Sequence, residues 1–367
     1  MASFKSNPLF RKGRIAAVLM AVLATPLAQA DVLRIGVATA GGGDPVTFSG
    51  SSLGIVRNQQ LLEKAFAGSG TEVQWFFFKG AGPAVNEALS NQQLDFAYQG
   101  DLPAVVGRSN GLDTKLLAAL GVRANLYLAV PKGSGIKSID DLKGKKVAVF
   151  RGTNGHLVSI NLLAEHGLTE RDIKVINLDT GSTQAALVSN GVDAAFGGRE
   201  LFKLRDKGLI DIVYDNPTQD VRYTRQTALV VRGAYEKEHP ANVQKVVDTL
   251  VDAAKWTSED SHLEAVLTEW AKSNEPVDSL RADLAGVSLR DKASPLIDNF
   301  LQSRYQAVAE QAKKEKLIRR PVSIDGWFEP GYLQTALKAK GLEGYWTAYG
   351  PDGKQPAGDA LTAATGK

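Results

Sequence analysis

The sequence predicts a two-lobed α/β protein, each lobe a mostly parallel sheet flanked by helices. Short apolar runs alternate with segments of helical period, the alternation occurs twice, and a stretch of thirteen residues recurs in both halves. In the first half, strands are expected at 32–37, 73–78 and 94–98, with helices at 51–66 and 83–90 between them. In the second, strands are expected at 146–150, 175–178 and 192–196, with helices at 156–166 and 182–189. Glycine is abundant, 36 of 367 residues, as many tight turns between short elements require.

The recurrence is visible when ALSNQQLDFAYQG (88–100) is laid over ALVSNGVDAAFGG (186–198). Asp95 then matches Asp193, Ala97 matches Ala195, Tyr98 matches Phe196 and Gly100 matches Gly198, in each case a helix, a turn and a short strand ending at glycine. Two further apolar runs, 126–130 and 228–231, read as strands that stand just before and just after the second copy, where they could be the crossings between lobes. Lobe one is therefore expected at 31–128 and again, in helical form, at 229–320, with lobe two at 129–228 and a C-terminal extension at 321–367. Trp256 and Trp270 lie on amphipathic helices and read as core anchors. The basic residues Lys313, Lys314, Lys316, Arg319 and Arg320 are interleaved with Glu310 and Glu315, as on a solvated helix face, and the tail beyond Tyr349 is expected to be loose.

The first thirty residues have the layout of an export signal. Lys5, Arg11, Lys12 and Arg14 precede an apolar run at 15–23, and Ala28-Gln29-Ala30 is a small-x-small cleavage site. The run is too short to span a bilayer. Removal of this segment turns a formal charge of +3 into a slight excess of acid, since it carries four basic residues and no acidic one. A nucleic-acid partner loses its electrostatic basis. With no cysteine the chain has neither a disulfide nor a lipid-anchoring site, so a soluble monomer in the periplasm, cleaved after Ala30, is expected.

In an open α/β sheet, ligands sit beyond the carboxyl ends of the strands, where helices begin. Four glycine-bearing turns fall there: 40–43 with Gly42, 79–82 with Gly82, 151–155 with Gly152, Thr153 and Asn154, and 180–182. Each offers unpaired N–H groups and the positive end of a helix dipole, which suits a small anion; each also serves turn geometry and capping by itself. His156, at a helix start, can donate a hydrogen bond as a neutral imidazole or simply pack there. Arg199 can answer an anion or pair with Glu200 or another carboxylate. Asp101 reads as an N-cap with Pro103 in the first turn, whereas Gln99 has no such structural reason. Hydrolase, metalloprotease, phosphate-loop and dinucleotide motifs are absent. His166, His239 and His262 are scattered without metal-ligand spacing. No catalytic residue, metal or cofactor is expected.

AGPAVNEAL, QLDFAYQGDLPAV, SIDDLKGKKVAVFRGTNGHL and GVDAAFGG resemble the substrate-binding proteins of bacterial ABC importers for nitrate, taurine and alkanesulfonates. The resemblance is strongest over 32–231, and GDLP (100–103) and GTNGH (152–156) are nearest the sulfonate branch. It implies a type II periplasmic-binding-protein fold that closes on its ligand in the interlobe cleft, catalyses nothing and docks on an inner-membrane permease. By the same resemblance, Gly82, Gln99, Asp101, Thr153, Asn154 and His156 would surround the ligand's sulfonate. Two departures stand out. Gly197-Gly198-Arg199-Glu200 replaces an aromatic segment usual after the second repeat, and the first loop, AGGGDPVTFSGSS, is long. Together they suggest a bulkier sulfonate or a sulfate ester countered by Arg199. Nitrate, phosphonate and the thiamine pyrimidine precursor remain alternative ligands. So does an enzyme of the thiamine-pyrimidine-synthase-like fold, although that family uses a cysteine-rich motif and this chain has no cysteine.

Overall fold

The computed structural model describes residues 31–216 and 220–355; residues 1–30, expected to be an export signal, residues 217–219 and the last twelve residues lie outside the described residues. Ten strands are formed: β1 (Asp31–Val37), β2 (Thr71–Phe77), β3 (Phe96–Gly100), β4 (Thr114–Asn125), β5 (Tyr127–Pro131), β6 (Lys146–Val149), β7 (Lys174–Asn177), β8 (Ala194–Gly197), β9 (Ile210–Tyr214) and β10 (Thr224–Arg232). They make two five-stranded sheets, ordered β2-β1-β3-β10-β4 and β7-β6-β8-β5-β9. In each sheet one strand is reversed, β10 in the first and β5 in the second, and the neighbours of β1 and of β6 run parallel. The two sheets thus share one order, and each receives its reversed strand where the chain arrives from the other lobe.

The duplication extends to a single hydrogen bond. Asp95 and Asp193, matched in the repeat, each accept a backbone N–H from the lobe's first parallel strand, from Arg34 of β1 at 3.0 Å and from Lys146 of β6 at 2.7 Å. Each also donates its own N–H back to the carbonyl of that residue. Asp95 does more than its counterpart: fully buried, it pairs with the Arg34 and Arg232 guanidinium groups at 2.9 and 3.1 Å and so ties β1, β3 and β10 together.

Helices cover both faces of each sheet. In lobe one, Leu33, Ile35, Phe96 and Leu229 pack under helices Ser52–Asn58, Pro240–Thr257 and Leu263–Ala271, with Trp270 buried among them. On the opposite face, Ala97 and Leu116 pack beneath helices Ala81–Ser90, Asp101–Ser109 and Asn299–Lys314. Lobe two repeats the three layers with Asn154–Glu165 on one face and Thr180–Val188 on the other. Pleated apolar strands buried on both faces require this arrangement, because neither face of such a sheet tolerates water.

Several expectations shift. The lobe boundaries expected after residues 128 and 228 fall inside β5 and β10, each of which lies wholly in one sheet; the chain crosses at Leu126 and between Tyr214 and Thr224. A central strand paired on both sides must be continuous, so a crossing cannot interrupt it. The segment expected as an extension is, as far as Gln355, part of lobe one: Trp327 is fully buried against Tyr305, and Leu333 and Trp346 join the first core. The single helix expected at 51–66 breaks at Gln60, which adopts φ +54°, beside the hydrogen bond from the Asn58 side chain to the Glu269 carbonyl.

Replacement of Asp95 by alanine is expected to destabilise the protein by about 3 kcal/mol, because it strands the partners of a buried carboxylate. Asp193→Ala, which loses one hydrogen bond nearer the surface, is expected to lose about 1 kcal/mol. Urea denaturation of the two variants checks the contrast.

Candidate functional site

Between the lobes lies a cavity of about 520 Å³, bounded by the carboxyl ends of strands and the first turns of helices from both sheets. Three helix starts face it. At Ala81–Ser90 the capping position is Gly80, which has no side chain to offer. At Asn154–Glu165 the Thr153 hydroxyl is turned back to the Phe150 carbonyl at 2.7 Å. At Thr180–Val188, Asp179 caps only the N–H of Ser182. The N–H groups of Gly82, Asn154, Gly155, Thr180 and Gly181 consequently have no acceptor among the described residues. Aligned peptide dipoles make each such end a seat for negative charge.

The electrostatics of the wall are decided by Arg225, which the sequence reading does not single out. It stands near the start of β10, close to the second crossing, and its Nε and Nη2 donate to the carbonyl of Asn125, at the first crossing, at 3.1 and 2.6 Å. No carboxylate lies within ion-pair distance of it among the described residues. Gly198 leaves room for it, since a Cβ there would lie 3.0 Å from its Nη2, and its Cδ lies in van der Waals range of Gly155, 3.9 Å from where a Cβ would stand. The guanidinium is thus brought to the same place as the open start of Asn154–Glu165. Lys292 also lines the cavity although its side chain is only 7% exposed. Burial lowers the pKa of its ammonium, and Asp283, at 3.9 Å, opposes that shift. Five cationic side chains line the cavity, and against them stand Asp179, Glu200 and Glu275 on the wall and Asp283 behind it. One positive charge is left over.

Five of the nine expected site residues are on the wall: Gly42, Gly82, Thr153, Asn154 and Arg199. The other four are placed behind it. Gln99 is buried and donates to Asn86 Oδ1 at 2.6 Å, fastening β3 to the helix that carries Gly82. Asp101 is buried with its oxygens accepting the N–H groups of Leu102 and Gln226. Burial pushes its carboxyl up to about 6, against the lowering effect of those two bonds. Gly152, at φ +77°, donates its N–H to His156 Nδ1 at 3.2 Å. An accepting Nδ1 leaves Nε2 to carry the proton of the neutral ring, and Nε2 faces Glu170 at 3.3 Å. His156 therefore locks the turn of lobe two from behind. Gln99 faces away because side chains alternate along β3, with Tyr98 and Gly100 on the wall to either side of it, and Asp101, Gly152 and His156 are held behind the wall by the hydrogen bonds just described.

Arg199 lines the cavity but its charge is taken. It is reached from lobe one by Glu275 at 2.8 Å and Asp283 at 3.8 Å, and its Nη2 donates to Ser49 Oγ at 2.6 Å. The Ser49 hydroxyl in turn donates to Glu275. Coulombic attraction to these carboxylates raises the arginine pKa despite the opposing effect of burial. The same segment of lobe one holds lobe two twice more, through Asp283 with Tyr127 Oη at 2.8 Å and Ser279 with Asp206 at 3.0 Å. Arg199, expected to answer the ligand, instead anchors a seam between lobes.

The family model described as "NMT1/THI5 like" matches residues 66–262. A Bacillus subtilis protein described as an aliphatic sulfonates-binding protein is 31% identical over 293 residues, covering 78% of this chain and 85% of its own. The structure of a periplasmic sulfonate-binding protein of an ABC transporter from Methylobacillus flagellatus superposes with a TM-score of 0.73 at 32% identity, over 88% of this chain and 98% of that one. The alkanesulfonate-binding protein of Xanthomonas axonopodis, solved with MOPS bound, shares the fold at a TM-score of 0.68 and 22% identity, over 82% and 98% of the two chains. The architecture is that of the type II periplasmic binding proteins.

Glu275→Gln weakens a contact that exists only when the lobes are together. It is expected to lower affinity roughly fivefold through lost closure, and less for an anion than for an uncharged ligand, because the Arg199 it releases also lines the cavity; calorimetry with the two kinds of ligand checks the difference. Asp101 titrates above the ordinary carboxyl range, so its contribution to stability is full below about pH 4 and lost as pH rises through about 6. Carbon NMR of its carboxyl should place the midpoint near 6.

Proposed function

Since this chain belongs to the NMT1/THI5-like family, we propose that it is the periplasmic solute-binding component of an ABC importer, capturing an organic sulfonate or a sulfate ester and delivering it to a membrane permease. The observation that carries the ligand's charge is Arg225. It is a cleft guanidinium with no carboxylate within ion-pair distance among the described residues, set beside the open N–H groups of Asn154 and Gly155, in a wall where basic side chains outnumber acidic ones. A sulfo group offers three acceptor oxygens to such a set of donors and needs no proton from the protein.

Cavity size separates the organic anions from the inorganic ones. About 520 Å³ lies within the range of pockets that hold whole organic ligands, and nitrate or sulfate alone would leave most of it to water. Enclosure by two lobes that close on the ligand would strip water from the sulfo group and strengthen each of its hydrogen bonds. Binding that favours the closed arrangement is also the signal a permease can read, because the two lobe surfaces then stand at a defined separation. Export follows from the basic-apolar-small pattern of residues 1–30. Among the described residues no helix is long and apolar enough to cross a membrane.

Arg225→Gln is expected to lower affinity for an organosulfonate by roughly tenfold to a hundredfold, the worth of a charge-assisted bond, with little change in the melting midpoint of the free protein. A thermal-shift screen with alkanesulfonates, sulfate esters, a phosphonate and nitrate tests the class. A ligand at a hundred times its Kd should stabilise by about 2.7 kcal/mol. Stabilisation by nitrate or the phosphonate alone would overturn the organosulfur reading.

A further inference from the structure

From the aromatic side chains of the cleft we infer that the captured anion carries its sulfo group on an aromatic ring, as an arylsulfonate or an aryl sulfate ester; this rests on the organosulfur reading above. Each lobe contributes two rings to the cavity wall, Phe48 and Tyr98 from lobe one and Phe150 and Phe196 from lobe two. Tyr98 and Phe196 are the matched pair of the internal repeat, each two residues before the matched glycine, so the duplication sets one ring at the cleft end of β3 and one at the cleft end of β8.

Phe48 and Phe196 are seated in the lobe cores and show the cavity only an edge, Phe48 packing on Tyr98 at 5.3 Å and on Phe77 at 6.2 Å between centroids. Tyr98 and Phe150 are the half-buried rings of the wall, and Phe150 has no aromatic neighbour among the described residues. The Tyr98 hydroxyl makes no hydrogen bond there either. A ring held between these walls gains edge and face contacts with their quadrupoles in addition to buried area. An alkyl chain of equal carbon number gains the area alone and gives up rotational freedom on binding. Head and tail are thereby separated: Arg225 and the helix starts answer charge, and the rings answer shape.

Calorimetry of the purified protein with benzenesulfonate, phenyl sulfate, hexane-1-sulfonate and ethanesulfonate tests the inference at matched carbon number. Either aryl ligand is expected to bind at least tenfold more tightly than hexane-1-sulfonate, and the better of the two assigns the sulfonate or the ester. Phe150→Leu should reduce the aryl-to-hexyl affinity ratio at least threefold; Tyr98→Leu is a second variant should the first fail to fold. Equal or tighter binding of hexane-1-sulfonate would overturn the aryl inference and leave the organosulfur reading intact. Binding of none of the four would overturn both.

Discussion

Three cationic side chains converge on the floor of the cleft from distant parts of the chain, Arg199 in lobe two, Arg225 at the second crossing and Lys292 in the helical part of lobe one. Such a cluster is stable only if its charge is answered. Glu275 and Asp283 answer Arg199 and Lys292, and in doing so they join the lobes, because the carboxylates belong to one and Arg199 to the other. Arg225 is left without a carboxylate. Its guanidinium is held by a backbone carbonyl that orients it and does not neutralise it. The charge left uncompensated in the structure is the charge an anionic ligand would supply.

The internal repeat visible in the chain explains how so few residues set this geometry. Each copy ends a parallel strand at the cleft and anchors that strand through an aspartate on the neighbouring one. The glycine that closes each copy then admits a side chain from elsewhere. A Cβ at Gly100 would lie 2.9 Å from Asn154 Nδ2 of the other lobe, and one at Gly198 would lie 3.0 Å from Arg225 Nη2. The two lobes are thus built to receive a polar group from outside themselves, and the cleft is assembled from those exchanges.

Much of the architecture was legible from pattern. Period-two apolar runs and helical spacings located eight of the ten strands, and the match of Asp95 to Asp193 identified equivalent structural positions. Strand β4 was missed, since TKLLAALGVRAN alternates too weakly to be told from a helix, and so was the short β9. Gly82, Thr153 and Asn154 were found because the start of a helix is announced by local residue types. Gln99, Asp101, Gly152 and His156 belong to the same local motifs but face inward, and nothing local reveals which way a residue next to a wall will turn.

By itself, then, the sequence determined what depends on neighbours in the chain: periodicity, turns, caps, the internal repeat and the apolar-basic leader. Only the tertiary structure decided which charges meet. Arg199 and Arg225 are equally plausible anion partners in one dimension, 26 residues apart in the same region. Folding brings Glu275, 76 residues from Arg199, to within 2.8 Å of it and, among the described residues, brings no carboxylate within ion-pair distance of Arg225. Coulombic pairing acts through space and falls off over a few ångströms, so the role of an arginine is settled by its three-dimensional company and not by the motif that carries it.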